Sequence, residues 1–204
     1  CAQSQPLRAR RPVCSPLLPC FSRDAATNMQ VFWSWLAERY VSEYAVDAAL
    51  TIAERSGARG YRRITLPYMR TDVARTNVVM AFRRASRAAD DVLVMLDCDH
   101  HHPPDIIERL VAHPVPIVGA LAFRRGQPFF PCVFFADTQG KYHPPLRWRN
   151  ELQPVDLVGT GAIAIRRSVF DQLEAAGYGE PFFRYEYPNG KVPSEDIYFG
   201  AICK

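Results

Sequence analysis

From Met29 onward, apolar positions recur with two alternating periods. Residues 31–36 are apolar and aromatic and predict a first strand. Val41, Ala45, Ala48 and Ile52 follow at helical spacing, with Gly57 as the expected stop. A strand is expected over 61–66, then a helix over 73–87. Asp72 is the expected N-cap of that helix, with Val78, Phe82 and Ala85 on one face. Residues 92–96 form a continuous apolar run flanked by acids, which is how a parallel strand buried on both faces reads. Pro103 and Pro104 open a further helix that turns Ile106, Ile107, Leu110 and Val111 inward and closes at Pro114. Residues 116–120 make another strand. Strands alternating with helices predict an α/β fold with a mostly parallel central sheet flanked by helices, and ligands at the strands' carboxyl ends.

After Phe123 the pattern changes. Segments 132–136, 157–159 and 162–165 are short and strand-like, separated by Pro, Gly and polar loops. Ser168 is expected to cap a short helix that runs to Ala176 and stops at Gly177, and a last helix begins at Ser194. Residues 29–204 therefore read as one domain, with an α/β half over about 29–123 and a mixed α+β half over about 124–204. Residues 1–28 are rich in Pro, Arg and Ser without periodicity, and are expected to be a disordered arm or an artefact of translation. The sequence opens on Cys1 and stops at Lys204 inside an expected helix. Clipping at one or both ends is expected, with Met29 a candidate start.

Composition narrows the picture. The chain has 204 residues, of which 48% are hydrophobic and 23% charged, enough for a core without staples. The net charge of +4 is concentrated in the arm. Four of the 25 basic residues and one of the 21 acidic residues lie within 1–28, leaving 21 against 20 elsewhere. A near-neutral folded part does not indicate a nucleic-acid surface. No apolar run approaches the roughly 20 residues of a membrane span. The six cysteines show no CxxC spacing, so neither a zinc ribbon nor a thioredoxin-like site is indicated, and Cys98 and Cys132 are expected as buried thiols. With no need for an oxidising compartment, a cytoplasmic location is expected.

Four groups of residues can carry chemistry. Asp97-Cys98-Asp99 follows directly on the buried strand, where two carboxylates one residue apart can converge on one divalent cation. Oxygen ligands suit Mg²⁺ or Mn²⁺, which share phosphate oxygens and neutralise a diphosphate. The plain alternative is a chance Asp-x-Asp capping a loop. Of His100, His101 and His102, at least two are expected to be polar turn residues, and one can be an additional ligand or a phosphate donor. The run Arg70–Asn77 starts a helix behind a strand, where backbone N–H groups favour anions. Arg75 can then bind phosphate or hold Asp97, whereas the alternative is a capping Asp72 with solvated arginines. Glu195 and Asp196 open the last helix; they are either first-turn acids favoured by the helix dipole or a general base. Gly159-Thr160-Gly161 precedes a strand and reads as a tight turn or as a close approach of backbone to ligand. Arg124, Arg125, Trp148 and Tyr185 can line a cleft.

Taken in this order, these strings resemble glycosyltransferases of the GT-A fold, particularly the family 2-like bacterial and phage members. The likeness spans about residue 62 to the chain end. It rests on Arg70–Asn77, Asp97-Cys98-Asp99, His102-Pro103-Pro104, the stretch 158–167 and Ser194-Glu195-Asp196-Ile197. The resemblance implies a Rossmann-type sandwich, a nucleotide-sugar donor and a carbohydrate, lipid or protein acceptor. It implies donor binding by Arg75, Asp72, Asp97 and Asp99, with the Mn²⁺ or Mg²⁺ on Asp97 and Asp99. It further implies Asp196 with Glu195 as the catalytic acids, and an acceptor side shaped by Gly159, Thr160 and Gly161. The family's nucleotide-binding loop is not clear within 30–39, Arg75-Thr76-Asn77 stands where Arg-Asn is usual, and the downstream metal ligand of many members has no counterpart before residue 204. A nucleotidyltransferase on a related sheet and a non-catalytic nucleotide-sugar-binding fragment are the alternatives.

Overall fold

The computed structural model describes residues 29–36, 41–124, 126–139, 141–145, 147, 149, 151–185 and 194–204. The expected arm, Arg125 and Trp148 lie outside the described residues, as does most of the stretch after the first strand where a nucleotide-binding loop would fall.

Two sheets organise the chain. The central sheet has the order β2-β1-β3-β8-β4, built from β1 (Val31–Leu36), β2 (Arg62–Arg63), β3 (Val92–Asp97), β4 (Ile117–Gly119) and β8 (Ala162–Arg166). The smaller sheet, β6-β5-β7, comes from β5 (Val133–Ala136), β6 (Tyr142–His143) and β7 (Leu157–Val158). The protein is thus α/β, but the central sheet is mixed. β1 pairs in parallel with β2 and β3, whereas β8 runs antiparallel to both β3 and β4. A mostly parallel sheet drawn from the first half alone is corrected here: four strands point one way, and the fifth, β8, comes from the second half and sits between β3 and β4. Its Ala-Ile-Ala-Ile sequence suits that place, because alternate residues face opposite layers.

The two faces are separate cores. Leu93, Met95, Ile163 and Ile165 pack with Phe32 against α2 (Thr71–Ala85), α4 (Arg167–Ala175) and Phe199 of α5 (Glu195–Ile202). Val92, Val94, Leu96, Ala162 and Ala164 pack with Trp33 against α1 (Glu43–Ala58) and α3 (Ile106–Val111). A strand covered on both faces has no polar side to show, which is why β3 reads as an unbroken apolar run. Phe82 of α2 is the centre of the first core, edge-on to Phe32 at 5.2 Å and to Phe170 at 6.2 Å.

Helix ends depart from the sequence expectation in several places, among them α3, which begins at Ile106 behind Asp105 rather than at Pro103 and Pro104. Arg70, not Asp72, occupies the N-cap of α2, and Asp72 lies in its first turn. Arg166 is the N-cap of α4, with Ser168 inside the helix. Helix α1 runs through Gly57 and ends at Ala58, with Gly60 at φ +71° making the turn. These two glycines give a prediction of opposite signs. A Cβ on either would meet nothing within 4 Å, so only the backbone decides. Gly60→Ala is expected to cost about 1–2 kcal/mol, and Gly57→Ala to add about 0.5–1 kcal/mol, both read from urea midpoints.

Among the described residues, no helix is long and apolar enough to cross a membrane.

Candidate functional site

Arg75 is 2% exposed and ties four segments together. It leaves α2 beneath the end of β3. There its Nη2 donates to both carboxylate oxygens of Asp97 at 2.9 Å. Its Nε donates to Oε1 of Glu195, the first residue of α5, at 3.2 Å. Its Nη1 donates to the carbonyl of Thr160 at 3.2 Å. A planar guanidinium with five donors can serve three acceptors in fixed directions, which an ammonium cannot. Of the two readings open for Arg75, the contacts give it to Asp97.

Asp97 ends β3, and its N–H donates to the carbonyl of Gly161 at 2.9 Å. Burial pushes its carboxyl above the usual carboxylate range, Arg75 pulls it back down, and Glu195 adds to the rise. Beyond it, Asp99 and His100 turn toward the same point. The ligating atoms of Asp97, Asp99 and His100 lie within 4.8 Å of one another. The three histidines part company. His102 is buried and its Nε2–H donates to the Asp97 carbonyl at 2.8 Å, with burial holding its pKa low. His101 is exposed. Nδ1 of His100 lies 2.8 Å from Oδ1 of Asp99, but this buried nitrogen has no aligned hydrogen bond.

That unsatisfied nitrogen beside two carboxylates is a test of fit for a cation. Bonds of about 2.1 Å place opposite ligands about 4.2 Å apart, so atoms within 4.8 Å of one another are near the spacing of a cation's ligands. Asp97 keeps acceptor capacity, since each carboxylate oxygen has two lone pairs. With one nitrogen among its donors the set suits Mn²⁺ better than Mg²⁺, which favours oxygen throughout.

Residues 159–161 join this cluster to the second acid. A Cβ on Gly161 would fall 2.8 Å from Cε1 of His100, so the imidazole rests on bare backbone. Gly159 packs equally closely on Cys132, donating its N–H to the Cys132 carbonyl at 2.6 Å. The position of its missing Cβ is 3.7 Å from Oδ2 of Asp196. Two Cα steps separate Gly159 from Gly161, at most about 7 Å, so this short turn runs from Asp196 to the Asp97–His100 cluster. Gly161→Ala is therefore expected to displace His100 and weaken Mn²⁺ binding by about tenfold. It should leave the melting temperature nearly unchanged without metal, because the ring can swing into solvent. Isothermal titration with Mn²⁺ checks it.

The acidic pair on α5 divides. Glu195 is buried against Arg75. Asp196 accepts from the Ile197 N–H at 2.8 Å and from the Ser194 hydroxyl, both on Oδ1. Among the described residues Oδ2 has no such bond, and it faces Gly159. Asp72 is bound by Arg70 through two hydrogen bonds of 2.6 and 2.7 Å. Arg70 in turn lies over the Tyr185 ring at 5.5 Å. The hydroxyl of Tyr185 is held above its usual pKa by burial and then by Glu195. Burial and then Asp196 raise the Cys132 thiol, and Arg124 acts in the opposite sense. Cys132 thus stands next to Asp196 across Gly159.

Of the residues singled out in the sequence, the structure joins Arg75, Asp97, Asp99, Glu195, Asp196 and the turn 159–161, whereas Asp72 is held by Arg70. The sequence did not distinguish His100 from its neighbours, nor show the Arg70–Asp72 pair. Three consecutive histidines carry no signal of which one faces a strand end. The chain matches no protein-family model, and no curated protein resembles it at a significant level.

Proposed function

We propose that this protein is a metal-dependent glycosyltransferase of the GT-A type that moves a sugar from a nucleotide-sugar donor to an acceptor hydroxyl. The observation that carries this reading is the surplus of carboxylates over guanidinium at the end of β3. Asp97 and Glu195 share the Arg75 guanidinium, Asp99 lies beside Asp97, and Asp196 stands at the adjoining Gly159. Such a site favours a cation, and through it a diphosphate. Asp97, Asp99 and His100 would hold the metal, which supplies charge neutralisation for a departing nucleoside diphosphate when bound. Arg75 keeps Asp97 and the Thr160 backbone in register. Asp196, whose Oδ2 faces Gly159, accepts the proton of the acceptor hydroxyl in an inverting course. Glu195 acts as a positioning residue through Arg75.

A thermal-shift screen of UDP-, GDP- and CMP-sugars with and without Mn²⁺ tests the donor class. A ligand at 100 times its Kd stabilises the native state by about 2.7 kcal/mol. One nucleotide-sugar is expected to raise the melting temperature only with Mn²⁺. No response from the folded protein under any combination would remove the reading.

A further inference from the structure

One guanidinium serves two carboxylates with different duties. Arg75 donates through Nη2 to both oxygens of Asp97, the atoms a cation would share, and through the neighbouring Nε to Glu195. The side chain of Asp97 is 23% exposed, whereas those of Arg75 and Glu195 are 2% and 9% exposed. Asp97 is thus the member of this trio within reach of an ion, and Glu195 is an inner one.

Arg75 by itself opposes a cation. Its positive charge sits on a carboxylate that must ligate, and like charges repel most where water is excluded. Glu195 offsets that charge. Asp97, Asp99 and Glu195 together with Arg75 leave two net negative charges, equal and opposite to a divalent ion; without Glu195 one would remain. Glu195 also gives the guanidinium a partner when a cation draws charge away from Asp97. The effect is reciprocal: whatever Glu195 adds to cation affinity, a bound cation adds to the Arg75–Glu195 pair. Helix α5 has other anchors. Phe199 stacks on Phe183 at 4.5 Å, and Gly200 brings bare backbone against Leu157. The charge of Glu195 can therefore be removed without undocking the helix.

We propose that Glu195 is a positioning residue for the cation: through Arg75 it sets the affinity of the Asp97–Asp99–His100 cluster and links cation binding to the first turn of α5, where Asp196 stands. This rests on the cation reading of the cluster and does not need the sugar-transfer reading. Isothermal titration of the full chain with MnCl₂ tests it. Glu195→Gln keeps an acceptor for Nε and removes the charge. It is expected to weaken Mn²⁺ binding about tenfold, as changes behind a ligand do. In a chelator the variant should melt within about 4 °C of the wild type, so the lost affinity is not a lost fold. Glu195→Asp keeps the charge and should bind within about threefold of the wild type. In about 1 M NaCl, where the Debye length is about 3 Å, the tenfold ratio should persist, because the bonded trio is shielded from solvent. Equal affinity of the wild type and Glu195→Gln overturns the proposal and leaves the cation site standing. So do equal losses in Glu195→Gln and Glu195→Asp, which would make Glu195 a packing residue. A ratio that vanishes in salt overturns it too, since the effect would then be a diffuse acidic field. If Glu195→Gln does not fold, hydrogen exchange of the wild type decides. Mn²⁺ is expected to slow exchange of the Tyr198 amide, which donates to the Ser194 carbonyl at 3.2 Å, more than that of the Ala176 amide at the end of α4. Equal slowing overturns the proposal. A folded wild type that binds no Mn²⁺ removes the cation reading and this inference together.

Discussion

Replacing Arg75 by alanine is expected to destabilise the protein by about 3–5 kcal/mol, the usual cost of removing one partner from a buried ionic network. The guanidinium is 2% exposed and bonds to Asp97, Glu195 and the Thr160 carbonyl. Without it, two carboxylates face each other at low dielectric, and a backbone acceptor loses its donor. Arg75→Lys is expected to recover little, because a point charge on a flexible stem cannot reach three acceptors in different directions. Arg75→Met together with Asp97→Asn and Glu195→Gln is expected to recover most of the loss. The cost of the single change lies in uncompensated charge rather than in missing attraction. Urea unfolding of the set, with unchanged m-values, measures this. A loss below about 1 kcal/mol for Arg75→Ala, within the range of an exposed ion pair, would show that Arg75 does not bind these segments together.

Asp99→Ala is expected to abolish stabilisation by Mn²⁺, a loss of about 2.7 kcal/mol at 100 times the wild-type Kd. In a chelator the same variant is expected to be as stable as the wild type or slightly more so. Removing one carboxylate from a group crowded with others relieves like-charge repulsion. The change of sign separates a ligand from a structural residue, which would weaken the fold under both conditions. His100→Ala adds a test of the donor set. It should weaken Mn²⁺ more than Mg²⁺, since imidazole is the ligand that Mg²⁺ uses least. Titration calorimetry with both ions checks it, and equal losses for the two would show that His100 stands outside the coordination shell.

Much of this site is legible in the sequence. Asp97 and Asp99 stood out because a run of five apolar residues ended at them, and a strand buried on both faces must deliver its next polar residues to an edge. Glu195 and Asp196 stood out as paired acids opening a helix. Their separate duties were not legible. Consecutive residues at a helix start diverge by about 100° around its axis, and which of them meets a guanidinium depends on where α5 docks. Asp72 shows the same limit. Its type fitted an N-cap, but the neighbouring Arg70 draws its carboxylate into two hydrogen bonds, and the cap falls to Arg70 itself.

The division follows range along the chain. Periodicity, glycine and proline positions and apolar runs act within a few residues, so the sequence by itself determined the existence of β1, β3, α2, α4 and α5, and the placing of acids at the end of a strand and the start of a helix. What joins them acts across long separations. Arg75 meets Glu195 over 120 residues, Arg75 meets the Thr160 carbonyl over 85, and β8 enters the sheet between strands that precede it. Local pattern cannot choose among such pairings, because every amphipathic element can bury its apolar face against several partners. Only the tertiary structure selected the packing that satisfies the buried charges and sets His100 on the bare backbone of Gly161.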